Sequence, residues 1–170
     1  GIPAKIAKEA FALAVRAQKD FHRECRELGR VFLEELEQYP EETAIVLFGR
    51  PYNAFTKKAN MGIPQKFATR GCRIIPYEFL PFEAEERDED MFWAMGQMIL
   101  KAAKLVQRHP QLFATYITNF SCGPDSFIVG FFREIMGQKP SLTLELDSHS
   151  ADAGLDTRIE AFLDVVQSYM

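Results

Sequence analysis

The chain has few cysteines and no paired ones. Of its 170 residues only Cys25, Cys72 and Cys122 are cysteine, far apart and without a CxxC pair. That argues against a disulfide scaffold, a zinc ribbon and a thioredoxin-type motif. It also points to a reducing compartment, the cytoplasm. No apolar run approaches the ~18 residues of a membrane span, so no membrane role is expected. Positive charge is in deficit, with Lys+Arg 20 against Asp+Glu 24 and a net charge of −4. A general nucleic-acid binder needs a basic face to neutralise phosphates, so no nucleic-acid partner is expected. The deficit is concentrated in residues 86–170, which carry 7 basic and 12 acidic side chains. There is no GxxxxGK[ST] loop, no GxGxxG after the first strand and no GxSxG elbow. Each absence removes a class: P-loop nucleotide chemistry, the usual dinucleotide binding, and serine hydrolysis on an α/β sheet. The sequence has no signal peptide and opens on Gly1, which reads as a piece of a longer, multidomain protein.

What is present is an ordinary globular composition, 47% hydrophobic and 26% charged. Residues 4–38 have the spacing of one long helix. Ala10, Ala14, Ala17, Phe21, Cys25, Leu28, Phe32 and Leu36 recur every three or four positions as an apolar stripe. Tyr39-Pro40 ends it, because the residue before proline avoids the helical region. The period then changes. Residues 43–48 (TAIVLF) form a short apolar run closed by Gly49, the mark of a strand buried on both faces. Residues 73–79, ending near Pro76, 112–120 and 141–146 repeat that pattern. Helical segments over 63–70, 90–108, 124–136 and 154–169 separate and follow them. The acidic run 83–90 reads as a solvated loop before a helix. Strands alternating with helices predict an α/β domain of Rossmann-like, flavodoxin-like type. Its parallel sheet has four strands in the order 2-1-3-4, between helical layers. The chain divides into a long helix over 1–40 and the α/β domain over 41–170.

In such sheets ligands bind beyond the carboxyl ends of the strands. That rule selects the segments at 49–53, 78–81, 119–125 and 147–152. Cys122 lies just before a helix start, where backbone N–H groups and the helix dipole favour a thiolate. A thiolate there suits metal ligation or nucleophilic attack; the plainer reading is a small buried residue at a tight turn. Gly123 beside it allows close approach of a ligand. Arg50 is placed to clamp an anion or, more simply, to form an ion pair. Asn53 and Asn119 line the same edge. Glu78, Asp147 and His149, with Asp152, resemble a metal or acid–base set whose spacing is equally that of helix caps. Cys25 reads as core and Cys72 sits at the amino end of its strand.

Several of these residues belong to recognisable motifs. Residues 46–53 (VLFGRPYN), 60–64 (NMGIP), Gly71 and Leu80-Pro81 resemble the large activase-related proteins of the 2-hydroxyacyl-CoA dehydratase group. Residues 119–127 (NFSCGPDSF) resemble their Cys-Gly motif, and 144–162 the segment that follows it. The resemblance implies an iron–sulfur, CoA-linked system for radical dehydration or electron transfer, of the kind met in anaerobic metabolism. It implies a [4Fe-4S] cluster with Cys122 as one ligand, completed by residues outside this chain. It implies ATP only in a domain absent here, and no activity for the isolated piece. The expected partners are the remaining domains of the full-length chain, or a dehydratase or activator partner, with a CoA thioester as ligand. Two other classes stay open: a non-catalytic docking module, and a cysteine hydrolase or transferase with Cys122 as nucleophile and His149 as base.

Overall fold

The computed structural model describes residues 1–119, 123–147 and 152–170. Helix α1 (Ala4–Glu37) precedes a sheet of β1 (Ala44–Phe48), β2 (Arg73–Pro76), β3 (Leu112–Thr118) and β4 (Ser141–Glu145). All pairs are parallel and the order is β2-β1-β3-β4, as the alternating pattern predicts. Helices α4 (Ala94–Arg108) and α5 (Pro124–Met136) cover one face. Helices α3 (Ile63–Ala68) and α6 (Asp152–Tyr169) cover the other, and α2 (Pro51–Ala54) is a single turn after β1. Successive residues of β1 and β3 feed two separate cores. Ala44, Val46, Phe48, Ala114 and Tyr116 face α4 and α5, whereas Ile45, Leu47, Phe113 and Ile117 face α3 and α6. Burial on both faces is why these strands read as unbroken apolar runs. Phe132 of α5 anchors the first core, its ring centroid 5.2 Å from that of Phe48 and 5.1 Å from that of Tyr116.

The second strand stops at Pro76, where the proline lacks a ladder N–H, and residues Tyr77–Phe79 form a 3-10 turn. Other boundaries differ from the sequence pattern by a few residues. The third strand ends at Thr118, two residues short of the apolar run. The helix expected from residue 90 begins at Ala94. The buried Gln97 side chain holds the preceding segment in a turn: its Nε2 donates to the Met91 carbonyl at 2.6 Å, and its Oε1 accepts from the Asp88 N–H at 3.1 Å.

The stripe read on α1 also needs correction. Cys25 and Leu36 are buried, but Phe21 and Leu28 are 55% and 61% exposed. A helix turns ~100° per residue, so Leu28 points well away from Gly29, which rests on the Phe79 carbonyl. The face that packs is Cys25, Arg26, Gly29, Phe32, Leu33 and Leu36. The Leu36 carbonyl accepts from the Gln111 amide at 3.0 Å, at the amino end of β3, while Gly29 lies beyond the carboxyl end of β2. Helix α1 therefore runs antiparallel to the strands. Its residues before Cys25 project past the carboxyl edge of the sheet by about 30 Å, at 1.5 Å per residue. Residues 1–19 are exposed throughout.

One buried cation ties the layers at the opposite end. Lys139 is 6% exposed; its Nζ donates to the Val106 carbonyl at 2.8 Å and to that of His109, at the end of α4. Burial pushes its ammonium down to about 8. The unfolded chain then holds this proton more tightly than the folded one between pH 8 and 10.5. The contribution of this group to stability accordingly rises with pH through that window. Urea midpoints measured across it are expected to show an upward component that Lys139→Met lacks.

Candidate functional site

The strand order reverses between β1 and β3, and the residues that leave these two strands meet there. Gly49 allows the close approach. It has φ +138°, and a Cβ on it would lie 2.4 Å from the Ile117 carbonyl oxygen. Arg50 follows and turns its guanidinium to Asp125 in the first turn of α5. Nη2 donates to Oδ2 at 3.1 Å, and Nε stands 3.0 Å from Oδ1 without an aligned hydrogen bond. Asp125 is wholly buried and also accepts from the Thr118 hydroxyl at 2.5 Å and the Tyr116 hydroxyl at 3.4 Å. Burial, and then the Asp125 charge, push the Tyr116 phenol upward, so it remains a neutral donor. Tyr77 is raised in the same way, first by burial, and its hydroxyl is buried without a partner. Arg50 also stacks on Tyr52, 4.9 Å from the ring centroid. The anion that Arg50 meets is thus part of the protein.

Around this pair stand two amide groups. Asn53, in α2, is 8% exposed and its Nδ2 has no hydrogen-bond partner. Asn119, just past β3, has an unpartnered, buried Oδ1. Gly123 precedes α5 with φ +59° and open space where a Cβ would be. Cys122 and His149 lie outside the described residues. Asp147 is half-buried past β4, and Asp152 pairs with Lys66 at 2.8 Å. Glu78 stands apart from both, beyond β2.

Glu78 lines a separate crevice of about 390 Å³ at the carboxyl ends of β1 and β2. Leu47, Phe55, Pro64, Ile74 and Phe79 make its walls apolar, and Lys57, Gln65 and Glu78 add polar groups. Phe21 closes one side from the overhanging part of α1. Sequence reasoning missed Lys57 and Phe21 here, and it missed Asp125 at the ion pair. The signal for Asp125 was an acidic residue in the first turn of a helix opposite an arginine after β1. For Phe21 no local signal exists, since the contact depends on where α1 crosses the sheet.

Among the described residues no group of three or more His, Cys, Asp or Glu is placed to hold a metal ion. Cys25 is packed in α1 and Cys72 lies before β2, at the amino end of the sheet. Burial raises both thiols above the ordinary value. The described residues thus bring no ligand set for an iron–sulfur cluster together, and Cys122, the expected ligand, lies outside them. No helix among them is long and apolar enough to cross a membrane.

No curated protein and no solved structure matches the chain. A family model described as the CoA enzyme activase uncharacterised domain matches residues 1–80, which include α1, the VLFGRPYN and NMGIP motifs and Glu78. Over residues 1–80, a little under half of the chain, the sequence is similar to that domain, in line with the activase-related family that its motifs resemble.

Proposed function

We propose that this domain binds a CoA-linked substrate for an activase-type protein, with the acyl-thioester end in the crevice between β1, β2 and α1. One observation carries the reading. The motif residues Leu47, Asn60 and Pro64 lie on the wall of an apolar crevice at the carboxyl edge of the sheet. Apolar concavities with few polar groups at that edge are where α/β domains take ligands. The apolar side chains suit an acyl chain, and Lys57 is the cation available to a phosphate. Arg50, held by Asp125, fixes the loop that carries Asn53, and the free Asn53 and Asn119 amides supply hydrogen bonds at the neighbouring edge. Dehydration or electron transfer would belong to the remaining domains of a longer chain, or to a dehydratase or activator partner.

Titration of the chain with acetyl-CoA in a calorimeter tests this. Saturable binding is expected, weakened about fivefold by Lys57→Ala, the size of one exposed ion pair. No heat of binding at millimolar acetyl-CoA overturns it. A docking role is favoured by a different observation, the exposed apolar side of α1. The cysteine hydrolase or transferase reading rests on Cys122 and His149, and nothing among the described residues supports it.

A further inference from the structure

Two concavities that the reading above leaves unused lie side by side between α1 and the start of α4. The first is a groove of about 470 Å³ lined by Lys19, His22, Arg23, Arg26 and Arg30 of α1, with Glu83 and Met98. The five α1 residues fall within about 100° of one another around the helix axis. In a chain of net charge −4, such a concentration makes a local site for an anion rather than a generally basic surface. Arg26 is its built part. The residue is 7% exposed, its guanidinium lies 4.1 Å above the Phe82 ring, and its Nε donates to Glu83 Oε1 at 2.7 Å. These contacts fix the fork, and its two Nη groups have no partner among the described residues. Lys19 has none either. Arg23 and Arg30 meet Asp20 and Glu27, each at 2.8 Å, in exposed bridges that a ligand can replace at little cost. From α4, Lys101 and Lys104 donate to the Glu83 and Glu86 carbonyls at 3.1 Å, so their charges meet backbone oxygens rather than carboxylates. The second concavity, of about 380 Å³, shares Glu83 and Met98 with the groove. Phe82, Ala94 and Met98 make it mostly apolar, with Arg87 and Lys101 as its cations. Each volume is that of a small-molecule pocket.

We infer that the two concavities together bind a nucleoside diphosphate unit. Its phosphates lie in the groove on Lys19, Arg26 and Arg30, and its base in the apolar concavity. Glu83 stands at the wall between them. Its Oε1 holds Arg26, and its Oε2 has no partner among the described residues and accepts from the ribose hydroxyls. The groove alone would suit many anions; the apolar concavity beside it selects a ligand that is anionic at one end and flat and apolar at the other. Free ADP carries such a unit, and so does the nucleotide end of CoA. Phe21, on the wall of the crevice at β1 and β2, lies 200° around α1 from Lys19. The nucleotide site is therefore on the other flank of the helix, and its binding of ADP is independent of what that crevice takes.

Calorimetric titration of the 170-residue chain with ADP is expected to show saturable binding that weakens as salt is raised. Lys19→Glu is expected to weaken ADP and inorganic pyrophosphate alike, by about tenfold. Lys19 is exposed, so the urea midpoint of that variant is expected to stay at the wild-type value. Ala94→Leu adds bulk to the apolar concavity, and is expected to weaken ADP by about tenfold while leaving pyrophosphate unchanged. Displacement of ADP by acetyl-CoA places the unit on CoA; simultaneous binding of the two places it on a free nucleotide. Absence of binding at millimolar ADP overturns the inference. So does pyrophosphate binding as tightly as ADP, or ADP binding that Lys19→Glu leaves unchanged.

Discussion

Replacing Asp125 by alanine is expected to lower the free energy of unfolding by about 3–5 kcal/mol, a large share of the ~5–15 kcal/mol of an ordinary domain. The loss comes from what remains. Arg50 keeps its charge at a side chain only 14% exposed, without the carboxylate that its guanidinium meets. The Thr118 and Tyr116 hydroxyls lose their acceptor at the same time. The pair itself need not be a large source of stability, since burying two charges costs about what their attraction returns. The double variant Arg50→Met with Asp125→Leu is therefore expected to recover most of the loss. Urea midpoints of the wild type, the two single variants and the double variant give the comparison. A single variant costing under about 0.5 kcal/mol would mean that the pair is solvated like a surface bridge, and the description of a closed network would fail.

The sheet was legible because each strand combined a short apolar run with a breaker: Gly49 after β1, Gly71 before β2, Pro110 before β3, Pro140 before β4. The βα alternation implied a parallel sheet, and the order 2-1-3-4 is that of the flavodoxin-like reading. The carboxyl-edge rule also placed Arg50, Asn53 and Asn119 at one end of the sheet, where the structure has them. Pairings across that edge were not legible. Nothing local to Arg50 says that its anion is Asp125, 75 residues away, and so a side chain that reads as a ligand clamp holds two elements of the fold together. Helix α1 misleads for another reason. Its sequence has two apolar faces, one against the sheet and one exposed, and a stripe picked by spacing mixes Cys25 of the first with Leu28 of the second.

Gly29→Ala and Gly130→Ala are expected to have opposite signs, although both glycines lie inside helices. Alanine in place of a helical glycine ordinarily gains about 1 kcal/mol, because the unfolded chain loses freedom and no contact is harmed. Gly130, in α5, is exposed and has nothing within 4 Å of an added Cβ, so it is expected to show that gain. At Gly29 the Cβ would lie 1.7 Å from the Phe79 carbonyl oxygen and 2.6 Å from its carbon. Those are backbone atoms next to β2, and no rotamer change clears them. The helix must lift, at an overpacking cost of about 1–3 kcal/mol that outweighs the propensity gain. The lift also disturbs the contacts one turn away, where Arg26 donates to Glu83 at 2.7 Å and lies 4.1 Å above the Phe82 ring. Urea unfolding reads the sign at each position. Amide hydrogen exchange locates the effect, which in Gly29→Ala is expected as faster exchange over the last three turns of α1 with the sheet unchanged. A Gly29→Ala chain as stable as Gly130→Ala would mean that α1 does not rest on Phe79, and with it would fall the placement of the arm beyond the carboxyl edge.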